Sequence, residues 1–123
     1  DLLLKRPWIP FALYDGDRFV GMSCYLNIDD DRQALEIGST FYRPSHRGTG
    51  FNRRCKGMML AHAFDRGYRR VEFRVDGRNA RSQAAMAKLG ATREGVLRAD
   101  RITWNGHVRD TVLFSILKDE WPV

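Results

Sequence analysis

Six stretches of the chain alternate apolar and polar residues, or are rich in aromatic and β-branched residues, and both patterns predict β-strands. The clearest is 70–76, where Val71, Phe73 and Val75 share one face and charged residues the other. Asp-Gly at 15–16 and Asn-Gly at 105–106 separate neighbouring stretches and are typical of hairpin turns. The predicted strands are 11–14, 19–26, 34–42, 70–76, 92–101 and 108–117.

Two stretches between these strands have helical periodicity instead. Residues 80–89 are rich in alanine, with Asn79 placed to cap the helix start and Gly90 to end it. In 51–66 the spacing i, i+3, i+4, i+7, i+8 predicts a buried face made of Cys55, Met58, Met59, His62 and Ala63. We interpret His62 as a residue of this face rather than a ligand or base, because no carboxylate or second histidine is nearby in sequence.

The order of elements predicts the fold class. A meander of strands, then a strand–helix–strand unit, then a terminal hairpin implies α/β (α+β) architecture. The helix at 51–66 crosses between two strands, so those two strands must be parallel, whereas the remaining neighbours are antiparallel. We therefore expect a mixed, mostly antiparallel twisted sheet with flanking helices, formed as one domain by residues 1–123. Residues 1–6 resemble the last turns of a helix that Pro7 ends.

Composition narrows the class of partner. The net charge is +6, and residues 43–81 carry 11 Lys and Arg against 3 Asp and Glu, so this segment has a charge of +8. Such a concentration favours a polyanionic partner. No apolar run approaches the length of a membrane span, so no membrane association is expected. Cys24 and Cys55 lack metal-ligand spacing, which predicts reduced thiols, no metal site and a cytoplasmic location.

A glycine-rich loop stands between the strand 34–42 and the helix 51–66. A helix start carries unpaired N–H groups and a partial positive charge, and glycines let a phosphate approach the backbone. The loop is neither a Walker motif nor a dinucleotide fingerprint. It predicts a phosphate or pyrophosphate site formed by Arg47, Gly48, Thr49, Gly50, Phe51 and Asn52.

The segment Arg47-Gly-Thr-Gly50-Phe-Asn52 resembles the acyl-CoA loop of the GCN5-related N-acetyltransferases (GNAT), Gln/Arg-x-x-Gly-x-Gly/Ala, with Asn52 in place of the last small residue. Its residues are similar to those of the branch that includes the ribosomal-protein alanine N-acetyltransferases. The resemblance continues from about Phe19 to the C-terminus. It implies a GNAT-like fold that lacks its usual first elements, with acetyl-CoA as cofactor and an amine as acceptor.

The resemblance also implies roles for other residues. The pantetheine arm of the cofactor is expected between two splayed strands, 36–42 and 70–76, where a backbone N–H would stabilise the oxyanion. Asn79 and Ser82 match the Asn-x-x-Ser of this branch, so Asn79 would bind near the pantetheine and Ser82 near the sulfur. Both residues are also ordinary in the first turn of a helix. Met86 occupies the position where many members have a tyrosine acid.

The general base has three candidates. Glu36 lies on the strand beside the loop and is the first choice, Asp100 is the second, and Glu94 is equally suited to pairing with arginines. An amine can also lose its proton through water, which would make a dedicated base unnecessary.

The resemblance therefore implies an acetyl-CoA-dependent N-acetyltransferase whose acceptor is a protein N-terminus or a small-molecule amine. Two other classes stay open. One is an acyl-CoA-binding or regulatory module without turnover. The other, less favoured because no nucleic-acid motif is present, is a nucleic-acid-binding domain that uses the basic middle of the chain. The edge strands of the C-terminal hairpin make a homodimer a further expectation.

Overall fold

A computed structural model describes residues 8–121, which form a six-stranded sheet and two α-helices. Every strand and helix predicted within these residues is present, and no bound differs by more than three residues. The predicted helical turns at 1–6 lie outside the described residues. The elements are β1 (Ile9–Asp15), β2 (Arg18–Asp29), β3 (Ala34–Tyr42), α1 (Phe51–Asp65), β4 (Arg70–Asp76), α2 (Ala80–Leu89), β5 (Thr92–Ile102) and β6 (Val108–Leu117).

The strands are ordered β1-β2-β3-β4-β6-β5, and among these described strands only β3 and β4 are parallel neighbours. This confirms the predicted mixed, mostly antiparallel sheet. The parallel pair follows from α1, because a helical crossover returns the chain to the same end of the sheet before β4 begins. The two hairpins that were predicted from Asp-Gly and Asn-Gly pair β1 with β2 and β5 with β6.

The parallel pair is short and then opens. β3 and β4 are in register only at three rungs, of which Glu36 opposite Glu72 is the last. Beyond this rung residues 37–42 of β3 have no partner on β4, which pairs instead with β6 along its whole length. The splay that the resemblance implied is therefore present, and its wide end faces the start of α1.

Both helices pack on one face of the sheet. Val71, Phe73 and Val75 of β4 alternate onto this face and share a single apolar cluster with residues from both helices. The helical members of the cluster are Met59, Leu60, Ala63, Phe64, Met86 and Leu89. A second cluster joins α1 to the β1–β2 side of the sheet through Phe51, Cys55, Leu13, Val20 and Tyr42.

The buried face of α1 differs from the predicted one. Met58 is 73% exposed, and His62 is also exposed, where it stacks on the Tyr25 ring. Leu60 and Phe64 are buried in their place, which rotates the face toward β4. Lys56, which is not part of the predicted face, is only 7% exposed.

The other face of the sheet carries a charged network. Arg74 of β4 bonds Glu36 across the splay at 3.0 Å and Glu72 on its own strand at 2.9 Å. Arg70 bonds Glu72 at 2.7 Å and Glu94 of β5 at 2.6 Å, while Arg32 reaches Glu72 at 3.3 Å. We call these six residues, Arg32, Glu36, Arg70, Glu72, Arg74 and Glu94, the sheet network.

Candidate acyl-CoA site

The glycine loop connects the end of β3 to α1 through a short 3-10 turn at Pro44–His46. Gly48 has φ of 75° and Gly50 a φ of 84°, a left-handed conformation that favours glycine. Gly50 is the N-cap of α1, and its carbonyl accepts the first helical bond, from Arg54 N at 3.1 Å. The Thr49 hydroxyl braces the loop by donating to His46 O at 2.8 Å.

The backbone of this loop presents donors outward. Residues 48–50 are exposed, and no acidic side chain stands in the first turn of α1. Phe51 N is directed at Thr49 Oγ1, at 3.4 Å. In the loop and the first turn of α1, five backbone N–H groups bond no other residue within 8–121. They belong to Gly48, Thr49, Gly50, Asn52 and Arg53. Such a set at a helix start is suited to bind an anion.

Arginines surround these donors. Arg47 is held by a bond from its Nε to Tyr42 O at 3.3 Å, and the Arg54 guanidinium lies 5.7 Å from the Phe51 ring centre. Arg81 comes from the first turn of α2, and its Nη2 lies 3.3 Å from where a Cβ on Gly48 would be. Arg81 is not among the site residues that the sequence predicts. Its position in the first turn of α2, opposite the loop across the splay, is visible only once β3 and β4 are known to be neighbours.

Phe51 and Asn52 are anchored to the protein by their side chains. Phe51 is buried and packs edge-on against the rings of Tyr42 and His46. The Tyr42 hydroxyl donates to Asn52 Oδ1, and burial raises the pKa of this tyrosine, so it stays protonated. The two residues therefore fix the first turn of α1, and what they can offer a ligand is the Asn52 N–H and Nδ2.

Glu36 lies at the apex of the splay and is 6% exposed. Its Oε1 accepts from Asn27 Nδ2 at 2.7 Å and from Arg74 Nη1 at 3.0 Å. Its Oε2 bonds no residue within the described chain and lies beside Gly38, where a Cβ would be 3.3 Å away. The carboxylate is thus oriented through one oxygen while the other faces the space that Gly38 leaves.

The other two carboxylate candidates are on β5, which is separated from β4 by β6. Arg70 and the Ser115 hydroxyl both bond Glu94 and lower its pKa. A bond from the Thr111 hydroxyl at 2.8 Å lowers the pKa of Asp100, and Arg101 adds to the effect. Two strand spacings place β5 about 10 Å from β4, so both carboxylates are farther from the splay than Glu36.

Asn79 and Ser82 form the start of α2 next to the splay. Ser82 N donates to Asn79 Oδ1 at 3.0 Å, which confirms the predicted N-cap. Asn79 Nδ2 and the Ser82 hydroxyl bond no other described residue. Met86 is 4% exposed and packs in the apolar cluster, so this position is directed at the core.

No group of three His, Cys, Asp or Glu side chains within residues 8–121 is arranged to hold a metal ion. Across the same residues, neither helix is long and apolar enough to cross a membrane.

The family model of the acetyltransferase (GNAT) domain matches residues 3–92. No curated protein matches the chain. Among solved structures, a candidate acetyltransferase from T. thermophilus is 39% identical with a TM-score of 0.88, over 98% of this chain and 64% of that one. A GCN5-related N-acetyltransferase from Brucella melitensis is 30% identical with a TM-score of 0.87, over 93% of this chain and 52% of that one.

More distant structures share the fold alone. The spermidine/spermine N-acetyltransferase SpeG from Vibrio cholerae is 21% identical with a TM-score of 0.83, over 93% of this chain and 67% of that one. This chain spans less than two thirds of the length of the acetyltransferases from T. thermophilus and Brucella melitensis.

Proposed function

The chain belongs to the GNAT acetyltransferase family, and we propose that it transfers an acetyl group from acetyl-CoA to a primary amine by direct attack in a ternary complex. The observation that carries the proposal is the glycine loop at the wide end of the splay. Free N–H groups and arginines there suit a pyrophosphate, and the unpaired edge of β3 leads from them to Glu36. A cofactor that is anionic at one end and amide-like along its arm fits this order of groups.

In this proposal the cofactor is held by the residues of the loop and by the start of α2. The N–H groups of 48–50, Asn52 and Arg53 bind the pyrophosphate, with Arg47 and Arg81 supplying charge. The pantetheine amides bond the open edge of β3. Asn79 Nδ2 is placed to reach the same arm from the opposite side of the splay.

The reaction needs one proton removed and one supplied. The amine nitrogen attacks the thioester carbonyl, the C–N bond forms, and the C–S bond breaks as the tetrahedral intermediate collapses. Glu36 Oε2 takes the proton from the amine, while Asn27 and Arg74 hold the other oxygen. The leaving thiolate gains a proton from the Ser82 hydroxyl or from water.

The acceptor is a primary amine, either a protein N-terminus, as the resemblance to the ribosomal-protein alanine N-acetyltransferases suggests, or a small-molecule amine. The fold leaves this choice open, since one architecture serves many acceptors. A panel of N-terminal peptides with alanine or serine first, polyamines and aminoglycosides, assayed with acetyl-CoA for thiol release, separates these classes.

The first test of the proposal is calorimetry of the chain with acetyl-CoA and, separately, with a short DNA duplex at physiological salt. We expect acetyl-CoA to bind and the duplex not to bind. Gly50→Val should abolish acetyl-CoA binding, whereas Gly67→Val is its matched control. Both glycines have positive φ and open space, but Gly67 lies beyond the far end of α1.

Binding of the duplex without acetyl-CoA would favour a nucleic-acid-binding domain instead. Acetyl-CoA binding without turnover on any amine would favour the non-catalytic module. Where turnover is found, Glu36→Gln should lower kcat by roughly 10²- to 10⁴-fold while leaving the affinity for acetyl-CoA unchanged, because the base acts only in the chemical step.

The β5–β6 hairpin exposes Ile102, Val108 and the almost fully exposed Trp104 beside the open edge of β5, which supports a homodimer formed through this hairpin. Sedimentation of the chain, with Trp104→Ser as the variant, tests the dimer.

Cys24 and Cys55 are free and buried in the described structure, which supports a reducing, cytoplasmic location.

A further inference from the structure

Lys56 is the most unusual side chain of α1, because a lysine stands where the helix faces the sheet. It is 7% exposed, and Nζ has one hydrogen-bond partner within the described chain, Thr40 Oγ1 at 3.3 Å. None of the ion pairs among residues 8–121 includes it. A buried amine without a carboxylate is costly to fold around, so stability does not explain a lysine at this position.

The partner of Lys56 lies in an irregular part of β3. Cys24 is opposite Gly38 and Met22 is opposite Phe41, so β3 has two residues where β2 has only Ser23. This is a β-bulge, and its first residue, Ser39, has φ of 50°, a conformation that costs a residue with a side chain roughly 1 kcal/mol. The backbones are also close here, since a Cβ on Gly21 would lie 2.1 Å from Phe41 O.

Two hydrogen bonds hold the second residue of the bulge. Thr40 Oγ1 lies 2.7 Å from Ser23 Oγ, across the two strands, and also accepts from Lys56 Nζ. The hydroxyl is therefore tied to β2 and to α1 at once. A bulge leaves its extra residue outside the ladder and redirects the main chain around it.

We infer that Lys56 is a positioning residue for acetyl transfer: through Thr40 and Ser23 it fixes the bulge of β3, so that an unpaired N–H of this segment points at the thioester carbonyl oxygen. The inference rests on the proposed function. The bulge lies on the part of β3 that has separated from β4, between the glycine loop and Glu36, where the thioester end of the cofactor would lie. Lys56 itself is covered by protein and acts through Thr40 rather than on the cofactor.

The test measures carbonyl polarisation directly and needs no acceptor. The chain is saturated with [1-¹³C]acetyl-CoA and the ¹³C resonance of the bound carbonyl is compared with that of free acetyl-CoA, while calorimetry gives the affinity. The variants are Lys56→Met, which keeps the length and removes the amine, and Thr40→Val, which keeps the shape and removes the hydroxyl. Thr40→Ser restores the hydroxyl, and Lys88→Met removes an exposed lysine of α2 as the matched control.

We expect Lys56→Met and Thr40→Val to bind acetyl-CoA within about threefold of the parent, to shift the carbonyl resonance toward the free value, and to lower transfer to an amine found in the panel by roughly 10- to 100-fold. Thr40→Ser and Lys88→Met should match the parent in all three measurements. If Lys56→Met does not fold, the comparison of Thr40→Val with Thr40→Ser still tests the inference.

If the bound carbonyl resonance is the same in both variants as in the parent, the inference is overturned and the proposed function is left intact. A loss of affinity as large as the loss of rate would also overturn it, because the residue would then serve binding. If the parent chain does not bind acetyl-CoA, the proposed function fails first.

Discussion

At the scale of the residue, the arginines near the glycine loop differ in what fixes them. Arg47 is tied to the Tyr42 carbonyl, and Arg54 lies over a ring of its own helix turn. Arg81 has no hydrogen bond or ion pair within the described residues, yet its Nη2 stands next to Gly48. A guanidinium that lies beside free backbone donors, without a carboxylate, is suited to an anionic ligand.

We therefore predict that Arg81→Met raises the KM for acetyl-CoA roughly 10- to 150-fold and leaves kcat within about twofold. A charge-assisted bond to a phosphate is worth about 1.5–3 kcal/mol and is the same in the ground and transition states. Steady-state kinetics with the acceptor from the panel measures both constants. Arg98→Met, at an exposed position of β5, is the control. A fall in kcat at unchanged KM would contradict this role.

At the scale of the element, the strands could be predicted from the sequence, and the buried face of α1 only in part, through Cys55, Met59 and Ala63. The alternation in β4 is strict because one face packs under the helices and the other carries charges. In α1 the apolar residues are spread around much of the helix, so more than one apolar face fits their spacing. The face that we predicted includes Met58, which is exposed to solvent. Likewise the loop could be predicted from its glycines. The roles proposed for Arg81 and Lys56 could not, because they depend on which strands are neighbours and on where β3 has its bulge.

The stability of α1 on the sheet should depend on pH through Lys56. Burial lowers the pKa of this amine to about 8, below its ordinary 10.5. The unfolded chain therefore binds the proton more tightly than the folded state does. The charged amine lowers the free energy of unfolding by its full amount below pH 8, and this loss disappears as the pH rises toward 10.5. The full difference corresponds to roughly 3 kcal/mol at neutral pH.

Lys56→Met should accordingly be more stable than the parent at pH 7, by up to about 2 kcal/mol after loss of the bond to Thr40. The advantage should shrink between about pH 8 and 10. Urea unfolding of both proteins across this range measures it, and the difference cancels the titration of the tyrosines and cysteines they share. A difference that does not vary with pH would show that Lys56 is not penalised by burial.

At the scale of the whole molecule, the sheet network fastens the two halves of the sheet together where the backbone does not. Main-chain pairing of β3 with β4 ends after three rungs, and Arg74 then bridges Glu36 and Glu72 across the opening. Arg70 extends the contacts over β6 to Glu94. The network thus limits how far the splay can widen, and it orients the proposed base as part of the same set of bonds.

Glu72 is the carboxylate with the most partners in this network, so its titration should govern acid stability. Burial by itself would raise the pKa of Glu72, but Arg70 and Arg74 outweigh burial and lower it below its ordinary value of 4.5. Its contribution is therefore complete above pH 4.5 and is lost as the pH falls through the folded-state pKa.

We predict that Glu72→Gln lowers the free energy of unfolding by roughly 2 kcal/mol at pH 7, because the partly buried Arg70 and Arg74 each lose one of their two carboxylate partners. At pH 3, below the ordinary value of 4.5, the gap to the parent should be narrower, because the unfolded chain then binds a proton that the folded carboxylate, with its lowered pKa, binds less readily. Urea unfolding at the two pH values measures this, with Asp17→Asn in the exposed β1–β2 turn as the control. A deficit of the same size at both pH values would mean that shape, rather than charge, at position 72 joins β3 to β4.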